Sequence, residues 1–424
     1  MKRSRVGRWV SAASLLAALL VPGLVPQHAA AATFEVSGWL PYWRAATSTA
    51  DVLPHLNKLT EINPFGFTVK NDGTLYDAAG LLAYPVVSVP AAVNQTDSGL
   101  ATSTPWYPLI TAARAQKVRV IPTVMWSDTN AIDTVLSSTT LRAQNVDAIV
   151  AMVKQGGFDG VDIDYEGKKA SDIDYFSDFL KELYAAMGNN WVDCTIEART
   201  PPQDLNTNTP MAQIQYANDY TAINKYCDRV RLMTYDQESI DKTLNDAAGN
   251  RIYTPVSDPQ WVTAVVQLAE KSIKPSKLEI GIATYGYEYN ITPYANNSGF
   301  MYDLLWSFNP GYATQIENLF HVTPIRNGVG ELAFTYTPTT TPETLPSGTG
   351  SATPTNANQT ASIGTAVAQA AGNYGLSGTV RYMTWSDSVA IAQKVALAKK
   401  LGVRGGAIFK LDGGEDQNIW NVIP

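Results

Sequence analysis

The chain has 424 residues, 45% hydrophobic and 16% charged, a balance that suits a soluble globular protein with a large core in one or two domains. Its formal charge is −7, and it has no basic stripe, phosphate-cradling loop or zinc-ligand spacing. Nucleic acid, anionic polymers and nucleotides are therefore poor partners, and a neutral or cationic substrate fits better.

The amino terminus carries Lys2, Arg3, Arg5 and Arg8, then an apolar run from Val10 to about Val25, then Gln27-His28-Ala29-Ala30-Ala31-Ala32, small residues that suit signal peptidase. We read 1–32 as a secretory signal peptide and expect 33–424 to be an extracellular protein. A stable membrane span is not expected, because Pro22 and Pro26 interrupt an apolar run already shorter than the ~20 residues a span needs. Losing four cations and no acid takes the formal charge from −7 to −11. Cys194 and Cys227 are an even count in an exported chain, and both a disulfide and two separate buried thiols remain open.

Strand-like and helix-like segments then alternate. The pattern predicts strands over 34–43, 62–69 and 119–124, with helices over 51–59 and 109–116 between them. Residues 141–155 place Val146, Ile149, Val150 and Val153 at helical spacing, and Gly156-Gly157 stops that helix before an acidic strand, 158–166. Further strands are predicted over 194–199, 230–236, 278–286 and 405–411, with helices over 173–187, 214–226, 261–272 and 389–401. Between about 289 and 386 the rhythm breaks: 331–337 and 379–385 read as strands, while 338–360 is a Thr/Pro-rich loop. Eight strands with intervening helices define an α/β chain of (β/α)8 TIM-barrel type, with a small α+β insertion late in the barrel.

In the acidic strand successive side chains alternate faces, so Asp162, Asp164 and Glu166 share one face and Val161, Ile163 and Tyr165 the other. Like charges so close disfavour full ionisation and raise at least one pKa, which keeps an acid protonated for general acid catalysis. Glu166, as the last strand residue, is expected at the catalytic face, with Asp164 and then Asp162 deeper. A calcium loop of EF-hand type fits less well, because Ile173 stands where a bidentate Glu is needed. A purely structural acidic strand would bury three unpaired carboxylates without return.

Asp159-Gly160-Val161-Asp162-Ile163-Asp164-Tyr165-Glu166 resembles the DGxDxDxE motif of family 18 glycoside hydrolases, and Met233-Thr234-Tyr235-Asp236 resembles the family's MxYD segment. The resemblance spans nearly all of 33–424. It implies a retaining, substrate-assisted glycosidase acting on a polysaccharide that contains N-acetylglucosamine, an exception to the two-carboxylate scheme. Glu166 would protonate the glycosidic oxygen, Asp164 orient the 2-acetamido group, Asp162 share a proton with Asp164, and Tyr235 steer the attacking carbonyl oxygen. Trp39, Met233, Asp236 and Phe409 would contact substrate, with Phe409 standing where the family usually has Trp and Ala283 where Pro is frequent. The ending 413–420 is closer to bacterial cell-wall and exopolysaccharide members, so chitin, peptidoglycan glycan and other N-acetylhexosamine polymers all stay open. No metal or organic cofactor is required, and the expected state is a monomer. A carbohydrate-binding lectin is the alternative from another class, although such relatives typically lack the glutamate that Glu166 supplies.

Trp126, Tyr285 and Trp385 also fall near strand ends, where they would either stack on sugar or join the core. Glu197 and Arg199 share a strand face, and pairing inside the barrel is favoured over substrate contact.

Overall fold

A computed structural model describes residues 33–83, 85–86, 99–249, 251–293, 299–337 and 380–424. The segment 1–32, read above as a signal peptide, and the loop 338–360 lie outside the described residues.

Eight parallel strands close a ring: Glu35–Pro41, Glu61–Val69, Thr123–Trp126, Gly160–Tyr165, Trp191–Glu197, Arg229–Met233, Leu278–Ala283 and Gly405–Phe409. The eighth pairs with the first (Glu35 opposite Gly405) and the first with the second (Trp39 opposite Asn63), which removes every edge. Outward-facing apolar residues meet the helices. On the fourth strand Tyr165 stacks 5.3 Å from Phe179 of the helix Ile173–Met187, and its hydroxyl donates to Asn145 at 2.8 Å. The helix Thr139–Gly156 ends at Gly157, whose φ of 61° only glycine adopts without strain, and the acid strand follows at once.

The barrel interior is polar. Arg231 is fully buried, lies 3.0 Å from Asp162, 2.9 Å from Asp193 and 3.2 Å from Glu279, and also pairs with Glu61. Buried charge is tolerated only when paired, and one guanidinium cannot satisfy four acids equally. Burial pushes Glu61 up, but Arg231 and Arg119 outweigh it and hold it low; burial and neighbouring acids win at Asp193 and Glu279, which are raised. Nearer the amino ends, burial pushes Glu35 up while hydrogen bonds from Arg229 and Arg404 and the charge of Arg119 bring it down to about 2.

Where local chemistry competes with pattern, the elements shift. Pro122 cannot donate to a ladder, so the third predicted strand divides into Arg119–Val120 and Thr123–Trp126. Asp128 accepts from the Asn130 and Ala131 N–H groups and starts a helix, Thr129–Ser137, that the sequence reading passed over. The helix expected over 51–59 is Ala45–Val52 followed by a 3-10 turn, Leu53–Lys58, and the one expected over 214–226 begins at Tyr220 behind the cap Asp219. Cys194 and Cys227 form a disulfide, their Cα atoms 5.9 Å apart, which resolves the alternative left open.

After the seventh strand the chain enters a five-stranded antiparallel sheet: Gly286–Pro293, Phe300–Phe308, Ile325–Arg326, Leu332–Tyr336 and Val380–Trp385. The helix Pro310–Phe320 packs on it through Tyr312 and Ile316, against Phe308, Phe334, Met383 and Trp385. Only the last two strands were legible as strands. Phe300–Phe308 is half-buried along most of its length and shows no clean two-residue alternation.

Candidate active site

The carboxyl ends of the barrel strands bring the acids together. Glu166 lies just past its strand, which ends at Tyr165, and not within it as expected; its N–H donates to the Trp126 carbonyl at 2.8 Å, one more rung of the ladder. Burial raises the Glu166 pKa, Glu197 and Asp236 add to the rise, and Lys168 opposes it. Desolvation and a carboxylate from the next strand, and not the acids of its own strand, carry the rise.

Asp164 is buried beneath, and makes no side-chain hydrogen bond among the described residues; its Oδ1 has no partner. Burial, then Glu166 and Asp162, push it well above the ordinary carboxylate range. No hydrogen bond links Asp162 to Asp164 among the described residues, where a shared proton was expected. The Asp162 carboxylate accepts from Trp39 Nε1 at 2.9 Å, Thr123 Oγ1 at 2.8 Å and Thr195 Oγ1 at 2.8 Å, and pairs with Arg231, so its lone pairs are already committed.

Tyr235 and Asp236 follow the sixth strand. Burial raises the Tyr235 hydroxyl well above its usual pKa, and the nearby Asp164 charge adds to this, so it stays a neutral donor. Its ring stacks 5.5 Å from Phe409 and passes over Gly281, where a Cβ would sit 2.6 Å from it. Asp236 adopts φ 55° and accepts from Tyr285 Oη at 2.5 Å; burial raises it, against hydrogen bonds from Tyr285 and Tyr287. Met233 is half-buried in the same cluster as Tyr235, Tyr285 and Phe409.

Phe409 is the centre of an aromatic floor, with Trp39 at 5.8 Å, Tyr285 at 5.9 Å and Phe65 at 6.3 Å. Trp39 is only 1% exposed, so it supports this floor and Asp162 from below and presents no free face to a sugar. Trp126 packs edge-on against Tyr165 in the shell between barrel and helices, and Trp385 joins the core of the second sheet; neither reaches the site. Farther out, exposed Trp43 meets Phe65 edge-on.

Lys168 was not singled out in the sequence, and the pairing expected of Glu197 is replaced by another. Glu197 does not pair with Arg199: it accepts from the Gly167 N–H at 3.0 Å and Asn218 Nδ2 at 2.8 Å and lies 3.7 Å from Lys168 Nζ. Arg199 instead donates to the Asn218 carbonyl at 2.7 Å and stacks on Tyr216 and Tyr220. The available signal was position, since Glu197 ends the fifth strand as Glu166 follows the fourth.

A closed parallel barrel with Asp164, Glu166, Glu197 and Asp236 gathered at the carboxyl ends of its strands defines a barrel glycosidase. The family model for glycosyl hydrolases family 18 matches residues 39–414, and the chain belongs to that family. Among relatives, it is 24% identical over 225 residues, 53% of this chain and 49% of the other, to the putative sporulation-specific glycosylase YdhD of Bacillus subtilis. It is also 24% identical over 157 residues, 37% of this chain and 42% of the other, to the uncharacterized glycosylase YvbX of the same organism. The chain thus spans less than half the length of these curated relatives. Among solved structures, a class V chitinase from Pseudomonas fluorescens aligns with a TM-score of 0.62 at 19% identity, over 92% of this chain and 98% of that one. The spore cortex-lytic enzyme SleL of Bacillus megaterium aligns at 0.60 and 17%, over 92% and 73%. No helix among the described residues is long and apolar enough to cross a membrane.

Proposed function

We propose that this glycosidase is secreted and cleaves β-linked N-acetylglucosamine polymers, chitin or a related glycan, by a retaining, substrate-assisted route. Asp164 carries the reading: a buried carboxyl with an unpartnered oxygen, electrostatically coupled to Glu166 and Tyr235, suits an amide N–H of the substrate. Glu166 donates its proton to the glycosidic oxygen as the bond to the anomeric carbon breaks. The acetamido carbonyl oxygen attacks that carbon and closes an oxazolinium ring, and Asp164 accepts the acetamido N–H and stabilises the positive charge. Tyr235 holds the carbonyl oxygen in line. Water, giving its proton to Glu166, then opens the ring with net retention.

Phe409 and Tyr235, with Trp39 packed behind Phe409, offer the apolar face a sugar ring needs. Peptidoglycan glycan is the second reading, favoured by the ending 413–420 and by the likeness to the spore cortex-lytic enzyme SleL and the putative sporulation-specific glycosylase YdhD. Export is supported by the leader-like residues 1–32 and by the disulfide, a bond of oxidising compartments.

Glu166→Gln is expected to lower kcat by about 10³-fold while oligosaccharide binding persists. De-N-acetylated oligomers should resist cleavage, because they lack the internal nucleophile; equal turnover of both substrates would refute substrate assistance. Product profiles on defined chitin and peptidoglycan oligomers separate the two polymers.

A further inference from the structure

The turn that carries Glu166 out of its strand is held from the neighbouring strand. Gly167, at φ 65°, bends the chain directly after the acid, and its N–H is the donor to Glu197 Oε1. Lys168 then folds back: its side chain is fully buried, its ammonium donates to the Tyr165 carbonyl and lies 4.6 Å from the centre of the Phe176 ring. A buried ammonium needs a counter-charge, and Glu197 Oε2 at 3.7 Å supplies it. Glu197 itself remains 40% exposed, so the pair has one end in the protein and one at the surface beside the acid. Asn218 fixes the second Glu197 oxygen, which leaves the carboxylate little freedom to leave the turn.

We propose that Glu197 and Lys168 are positioning residues for Glu166: Glu197 fixes the turn that aims the acid, and the opposed charges of the pair set the field in which it holds its proton. This rests on the reading of Glu166 as general acid. The charged and titratable groups facing Glu166 are Glu197 from the fifth strand, Lys168 from its own turn and Tyr235 and Asp236 from beyond the sixth strand, with Asp164 near it on its own strand. Asp236 is in turn held by the Tyr285 and Tyr287 hydroxyls. Burial raises Glu166, Glu197 reinforces the rise and Lys168 opposes it, so the two partners pull in opposite directions. A merely structural ion pair predicts the same loss whichever partner is removed. A field-setting pair predicts effects of opposite sign.

The test is a pH titration of the whole protein labelled with side-chain carboxyl ¹³C-glutamate, followed by NMR. The Glu166 resonance is assigned by its loss in Glu166→Gln. Glu197→Gln keeps an acceptor for the Gly167 N–H but removes the charge, and should lower the Glu166 midpoint by about half a pH unit or more. Lys168→Met should raise it by a similar amount. The alkaline limb of kcat on chitin oligomers should follow each midpoint, because the acid must be protonated to act. Glu197→Ala, which also frees the turn, should lower kcat below that of Glu197→Gln with little change in KM. Midpoints in Glu197→Gln and Lys168→Met that coincide with the parent's overturn the proposal. If Lys168→Met does not fold, Glu197→Gln decides alone, and an unmoved midpoint there has the same consequence. Full turnover by Glu166→Gln would instead refute the acid assignment, while the NMR midpoints still judge the pair.

Discussion

Two layers of acids line this barrel, and what faces them differs. Toward the amino ends of the strands, Glu35, Glu61, Asp162, Asp193 and Glu279 each touch a guanidinium, from Arg119, Arg229, Arg231 or Arg404. At the carboxyl ends, Lys168 serves Glu197, while Asp164 touches no cation and makes no side-chain hydrogen bond among the described residues. The same side-chain chemistry therefore performs two tasks. Below, acids bind the ring of strands together through shared arginines; above, Asp164 and Glu166 have no guanidinium partner among the described residues and stay open to a ligand.

The largest expected effect comes from removing the centre of the lower layer. Arg231→Met leaves Glu61, Asp162, Asp193 and Glu279 buried without their common partner, and breaking even one such pair costs ~3–5 kcal/mol. Little folded protein should accumulate at neutral pH; a melting temperature within a few degrees of the parent would erase the distinction between the layers.

Asp164→Asn tests the rim. A neutral amide relieves the repulsion of a buried acid from Glu166 and Asp162, so the melting temperature should hold or rise. Activity should fall by about 10²-fold or more, because the amide no longer supplies the charge that stabilises the developing cation. Loss of stability without loss of turnover would assign Asp164 to the lower, structural set.

A smaller effect belongs to Glu35, whose pKa is brought from 4.5 down to about 2. The folded value lies below the unfolded one, so the stability it contributes is present above pH 4.5 and lost as pH falls toward 2. Its partners are partly solvated, which reduces the contribution to about 2 kcal/mol. Glu35→Gln should lower stability at pH 7 by that amount and converge with the parent near pH 2, as denaturant melts across pH would reveal.

The upper layer was largely legible in the sequence, because a two-residue period and a glycine stop are local signals. Asp164 and Glu166 could be placed by counting along one strand. The fate of Asp162 could not, since its partners Trp39, Thr123, Thr195 and Arg231 come from four other strands and meet it only when the ring closes. The Glu197 contact to Gly167 crosses 30 residues of chain for the same reason. In the insertion, half-buried strands blur the alternation that marks a sheet, so Phe300–Phe308 escaped notice.

Gly281 gives the barrel a quiet checkpoint. It lies on the seventh strand, distant in sequence from both acidic motifs, yet a Cβ there would fall 2.6 Å from the Tyr235 ring and 2.7 Å from the Leu232 carbonyl oxygen, which is backbone and cannot swing aside. A chain that kept every acid and Tyr235 but carried alanine at this position would look complete to any motif search while its tyrosine stood out of line. When genes of this kind are sorted into working enzymes and silent copies, that single missing methyl group is worth inspecting beside the carboxylates.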